Sequence, residues 1–154
     1  FRSQEGRFQA RFPGKPARGT RMVGDEGRQY ELVEHVWTDD RDTTSFHVAF
    51  SPISDEVAEQ GTDFLFEQSV KRLGNQHRIL SSRRQTFGTS GLPMQVVECE
   101  SGQPGRTFRM RVHLIVDGQR LYQVVAAYQG SDGGDSEMAS QFLGSFEILP
   151  STQG

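Results

Sequence analysis

Between residues 106 and 117 the chain reads Arg-Thr-Phe-Arg-Met-Arg-Val-His-Leu-Ile-Val-Asp, and no other stretch constrains the fold as tightly. Phe108, Met110, Val112, Leu114 and Val116 recur at every second position, with Thr107, Arg109, Arg111 and His113 between them and Ile115 as the one apolar exception. A period of two is that of a β-strand with one face on a core. Asp117-Gly118 then supplies residues suited to a tight hairpin turn, and Leu121 to Tyr128 reads as the returning strand. A strand and its return joined so closely commit the chain to an antiparallel sheet.

The remaining segments are read by the same periods. Arg7 to Phe12 alternates, which directs Phe8, Ala10 and Phe12 inward, and Pro13-Gly14-Lys15-Pro16 ends that strand. Residues 19–24 are expected as the second arm of a hairpin. Tyr30 to Trp37 and Ser45 to Phe50 are aromatic and β-branched strands around a loop at 38–44, with further strands over 78–87 and 93–100. From Ser54 the pattern turns helical, Phe66, Val70 and Leu73 forming one stripe. Gly61 interrupts it, so a separate turn is expected at 54–60 and a helix at 63–73, capped by Thr62 and followed by Gly74. A last helix, capped by Ser136 or Asp135, should bury Met138, Phe142 and Phe146. The expectation is a single α+β domain over 1–150, with helices covering an antiparallel sheet and a polar tail at 151–154. A chain of 154 residues buries about 70% of its unfolded surface and needs no metal or disulfide staple.

The opening Gln4-Glu5-Gly6-Arg7-Phe8-Gln9-Ala10-Arg11-Phe12-Pro13-Gly14-Lys15-Pro16 resembles the EGRFSVxFPGxP start of bacterial PsbP/Mog1-like domains. Arg106 to Val124 is similar to the central hairpin of that group, and Gln141-Phe142-Leu143-Gly144-Ser145-Phe146 to its closing FxxSF helix. The resemblance runs over nearly the whole chain, but its motifs are structural. It implies an α/β/α sandwich around a central antiparallel sheet, an extracytoplasmic location and a bacterial source, and it carries no functional residue across. The chain opens at Phe1, without the basic and apolar regions of a signal peptide, and a start other than Met fits a longer precursor.

Net charge is −3, from 17 basic and 20 acidic residues, too balanced to point to nucleic acid or an anionic membrane. No apolar run approaches the roughly 20 residues of a membrane-spanning helix. A lone Cys99 rules out an internal disulfide. His35, His47, His77 and His113 lack the short spacings of a zinc site, although His47 and His113 would share a polar face if their strands were neighbours. Asp132, Asp135 and Glu137 flank a glycine-rich loop without the ligand order of an EF-hand, and helix capping accounts for them more simply. Thr89-Ser90-Gly91 lacks the first glycine of a nucleophile elbow, and Cys99 lies mid-strand with no histidine beside it. No enzymatic activity, metal or cofactor is therefore expected.

What concentrates one sign of charge is the row Arg109, Arg111 and His113, with Arg83 and Arg84 on another strand. Parallel guanidinium groups can hold carboxylates in bidentate fashion, so these five residues are the candidate binding surface. Alternation alone would equally put polar side chains there, as a solvated sheet face. The functional expectation is a non-enzymatic binding or accessory domain contacting another protein. The alternatives are a small-molecule carrier or sensor with Trp37, Tyr122 and Tyr128 around a pocket, and a structural domain of a larger protein.

Overall fold

The computed structural model describes residues 1–25, 28–41, 43–103, 106–129 and 133–150. Seven strands make one antiparallel sheet: β3 (Ala17–Asp25), β4 (Arg28–Thr38), β5 (Thr44–Pro52), β6 (Arg78–Phe87), β7 (Leu92–Gln103), β8 (Arg106–Asp117) and β9 (Arg120–Gln129). Their spatial order is β3-β4-β5-β9-β8-β7-β6. Two runs of hairpin-connected strands thus meet where β9 pairs with β5. The link between the runs is helical: α1 (Asp55–Gln60) and α2 (Thr62–Gln76) carry the chain from β5 to the far edge strand β6. After β9, α3 (Gly133–Ser145) returns over the sheet.

Both faces of the sheet are apolar at the centre, as a sheet between helices requires. On one face Val97, Cys99, Val112, Leu114, Val116 and Leu121 pack with Phe66 of α2 and Val57 of α1. On the other, Phe46, Val48, Phe50, Ile115, Tyr122 and Val124 pack with Phe8 and with Ala139, Phe142 and Leu143 of α3. Ile115 is fully buried there. The exception in the alternation of β8 therefore marks the point where its second face also enters a core. The turn after β8 is the two-residue Gly118-Gln119, since Asp117 pairs with Arg120, and Gly118 alone takes the left-handed conformation, at φ 61°.

The N-terminal segment departs from expectation. Only Phe8–Gln9 (β2) is a strand, and it joins β1 (Arg2–Ser3) and β10 (Glu147–Ile148) in a small separate sheet of order β1-β2-β10. Residues 19–24 do not pair with it; they belong to β3, whose partner is β4. The inward alternation survives, with Phe8 and Ala10 buried and Phe12 half-buried.

The helix ends also differ in detail. Ser54 caps α1, its Oγ accepting from the Val57 amide at 3.3 Å. Gly61, at φ 95°, is the residue between α1 and α2, so Thr62 is the first residue of α2 rather than its cap. α2 runs through Gly74 to Gln76, because the His77 amide still finds the Leu73 carbonyl at 2.8 Å. α3 begins at Gly133, ahead of the expected caps Asp135 and Ser136. Met138 is exposed, and the buried side chains are Ala139, Phe142, Leu143 and, just past the helix end, Phe146.

The turn over residues 4–7 gives the opening motif a physical meaning. Glu5 takes two hydrogen bonds from Arg18, at 2.7 and 3.0 Å, which hold its carboxyl below the ordinary value. Gly6 is buried so closely that a Cβ there would lie 2.6 Å from the Phe50 ring. Arg7 is left-handed at φ 53°, and Phe8 is fully buried. The Tyr122 hydroxyl donates to the Gly6 carbonyl at 2.5 Å in the interior. Tyr122→Phe would leave that carbonyl unpaired, and the expected loss is about 1–3 kcal/mol of unfolding free energy. Urea unfolding checks it; an unchanged midpoint would mean that water reaches the carbonyl.

Candidate functional site

Register places the five candidate residues on definite faces. Arg109, Arg111 and His113 of β8 lie opposite Tyr128, Ala126 and Val124 of β9 and opposite Glu100, Glu98 and Val96 of β7. Arg83 of β6 lies opposite Val96, on this same face. Arg84, its neighbour in sequence, necessarily points the other way. There its guanidinium bonds Asp63 of α2 at 2.5 Å and Gln95 at 3.1 Å and lies 4.6 Å over the Phe66 ring. Arg84 is a fastening for α2, so the expected single surface is split.

A second member is engaged as well. Arg111 donates to Ser140 Oγ at 2.6 Å and to Ser136 Oγ at 2.7 Å, sits 3.9 Å from Glu98 and lies over the Tyr128 ring. It holds α3 to the sheet. His113 is half-buried beside it, and burial first, then the charges of Arg111 and Arg83, push its pKa down from 6.5 to about 4. A neutral imidazole under two guanidinium groups follows.

Arg109 and Arg83 are exposed, and no ion pair to either is found among the described residues. Arg78 shares their face, opposite Glu100, and is also exposed. The open part of the site is therefore the outer third of the sheet, over β6 and the adjoining ends of β7 and β8. From Arg78 to Phe87 the edge strand β6 is exposed on both faces, except at Ile79 and Phe87. Four arginines face two glutamates there, which leaves the patch basic in a chain that is acidic as a whole.

The histidine pair does not form. His47 faces the α1–α2 side, opposite Val36 and Val125, whereas His113 faces α3, and β9 separates their strands. His47 instead bonds Ser45 Oγ at 2.7 Å, and burial lowers its pKa. No group of three or more His, Cys, Asp or Glu side chains converges among the described residues. Asp132 lies outside those residues, and Glu137 is exposed.

Two hollows lie elsewhere on the surface. One, of about 590 Å³ at the end of the sheet, has Val33, Phe50 and Pro52 as its floor and Arg7, Arg120 and Glu31 at its rim. The other, of about 930 Å³, lies between the N-terminal segment and α3. Trp37, Tyr122 and Tyr128 line neither. Tyr122 and Tyr128 are buried, and Trp37 packs on Phe46 at 5.5 Å between ring centroids. Periodicity could not have revealed either hollow, because both are made by elements distant in sequence.

No family model matches the chain, and no curated protein is similar to it at a significant level. Among solved structures, the chain is similar to PA94 of Pseudomonas aeruginosa, described as of unknown function and provisionally as a regulator. The TM-score is 0.55 at 9% sequence identity, over 87% of this chain and 99% of that one. The likeness is one of fold. It agrees with an α+β architecture built on an antiparallel sheet. No helix among the described residues is long and apolar enough to cross a membrane.

Proposed function

We propose that this is a non-enzymatic accessory domain that holds an acidic surface of another protein against the outer third of its sheet, and that it belongs with the exported PsbP/Mog1-like domains. The observation that carries the reading is the row of exposed arginines Arg78, Arg83 and Arg109 on a sheet face over which Arg111 already holds the edge of α3. Guanidinium groups presented by a rigid sheet lose little freedom on binding, and they match carboxylates in geometry as well as charge. His113 stays neutral beneath them at ordinary pH, so it adds shape to the surface without adding charge.

The test separates binding from folding. Arg83→Ser with Arg109→Ser should leave the melting temperature nearly unchanged, since exposed substitutions shift stability by about ±0.5 kcal/mol. Arg111→Ser, in contrast, removes charge-assisted bonds to α3 and should cost roughly 1.5–3 kcal/mol. A partner recovered by photo-crosslinking from position 85, on the same strand and face, is then titrated against wild type and the double variant over a salt series. The expected weakening is roughly threefold to tenfold at low salt and less at high salt, as exposed charge pairs are screened. Equal affinities at low salt would reject the arginine surface.

A further inference from the structure

We propose that the hollow between the N-terminal segment and α3 is a second docking site, which takes an acidic amphipathic segment of a partner protein. It lies on the opposite flank of α3 from the arginine surface and goes beyond the function proposed above. A helix turns about 100° per residue, so its flanks carry different residues. Ser136 and Ser140 project toward Arg111, whereas Met138, Gln141 and Ser145 line the hollow. Ala139 points down between the two into the core.

The hollow has aromatic rings at its base, apolar side chains exposed at its lips and polar groups between them. Its floor is Ala10, Phe12, Phe46 and Phe142. Phe46 and Phe142 are stacked at 4.5 Å, and the Phe12 ring lies 5.0 Å from Phe142. Four large apolar side chains are exposed among the described residues, and two of them, Phe1 and Met138, stand at its lips, 46% and 38% exposed. Interfaces enrich aromatic residues, Met and Arg, and a flexible thioether adapts to varied apolar side chains. Clustering on one hollow is what distinguishes these two from apolar residues scattered singly over a surface.

Charge at the rim selects the occupant. Arg2 and Arg11 are exposed beside the hollow, and neither has an ion pair among the described residues. The one carboxylate at the rim, Glu147, is engaged by Gln9 Nε2 at 2.6 Å. A trough with exposed Phe1 and Met138 at its lips, and two guanidinium groups against one carboxylate, fits a segment with apolar residues on one face and Asp or Glu on the other. A basic segment would meet a net like charge there, two guanidinium groups against one carboxylate.

The probe is a synthetic peptide with Leu at i, i+3, i+4 and i+7 and Glu elsewhere, compared with a twin carrying Lys for Glu. Trp37, the sole tryptophan, packs on the floor residue Phe46 and reports occupancy by fluorescence, and amide chemical shifts locate it. At low salt the Glu peptide should bind at least roughly tenfold more tightly than the Lys twin, the ratio shrinking as salt rises. Arg2→Glu with Arg11→Glu should invert the preference. Met138→Asp should weaken the Glu peptide by roughly tenfold with the melting temperature unchanged.

Several results would overturn the proposal. Equal affinity for the two peptides, or binding only of a small apolar dye, would remove the acidic segment as occupant. Shifts confined to β6, β7 and β8 would move the peptide to the arginine surface, sinking this site and leaving that reading intact. A dimer whose self-association is lost in Met138→Asp would assign the hollow to a second copy of the chain.

Discussion

Phe142→Ala is expected to lower the unfolding free energy by about 3–5 kcal/mol, the range found where a large aromatic is deleted from a core that cannot collapse. The reason lies in what surrounds the ring. Phe142 is 2% exposed, stacked on Phe46 at 4.5 Å with planes within 6° of each other, and in contact with Phe12 at 5.0 Å. Phe46 sits on a central strand and Phe12 on an irregular segment pinned by the Arg11 amide to Ser145 Oγ at 2.9 Å. Neither can follow a shrinking side chain without disturbing other bonds, so the space would stay open. The loss is a large share of the roughly 5–15 kcal/mol that stabilises a typical domain. Thermal and urea unfolding of the variant measure it. A melting temperature within a degree or two of wild type would mean that α3 contributes little to the sheet it covers.

The strands were legible wherever alternation and turn chemistry agreed. The expected bounds 78–87 and 106–117 are those observed, because Gly118 and the polar turn at 88–91 stop the chain where its side-chain pattern stops. The hairpin loop at 38–44 was equally readable, and Asp39 organises it by accepting from the Thr43 and Thr44 amides at 2.7 and 3.0 Å. The N-terminal pairing was not readable. Phe8 carries the same alternation whether its strand joins the main sheet or a small one, and its partner Ile148 lies 140 positions away.

Side-chain direction was more accessible than cover. That Arg83 and Arg84 face opposite sides follows from their adjacency on one strand, and only the grouping by charge obscured it. Nothing local says that α3 reaches Arg111 and stops short of Arg109. That distinction depends on where two serines fall on a helix that begins sixteen residues beyond Asp117. It is also the distinction between a structural arginine and one free to bind. His47 and His113 failed to meet for a related reason: the period gives a face relative to each strand's own core, and this sheet has a core on both sides.

The second large effect expected is on acid stability, and it centres on His113. Burial disfavours the imidazolium, and Arg111 on the same strand and Arg83 on β6 oppose it further, so the folded pKa falls from 6.5 to about 4. Glu98, the nearest acidic residue on this face by register, is directed to Arg111 at 3.9 Å. A histidine whose folded pKa is depressed favours the native state only while it is neutral. Its contribution is therefore complete above about pH 6.5 and is lost as pH falls toward 4, because within that window the unfolded chain binds more protons than the folded one. At 1.36 kcal/mol per pH unit, the drop over the window is about 3 kcal/mol. His35 and His47 are shifted in the same direction, mainly by burial, and add to the slope. His113→Gln isolates one part of it by keeping a polar side chain of similar reach without the titration. Urea unfolding at intervals from pH 7 to pH 4.5 should give a wild-type stability that declines more steeply than the variant's, so that the difference between the two curves shifts steadily against the wild type as pH falls. Parallel curves would show that His113 keeps its ordinary pKa, with water in place of the packing between α3 and the arginine rows.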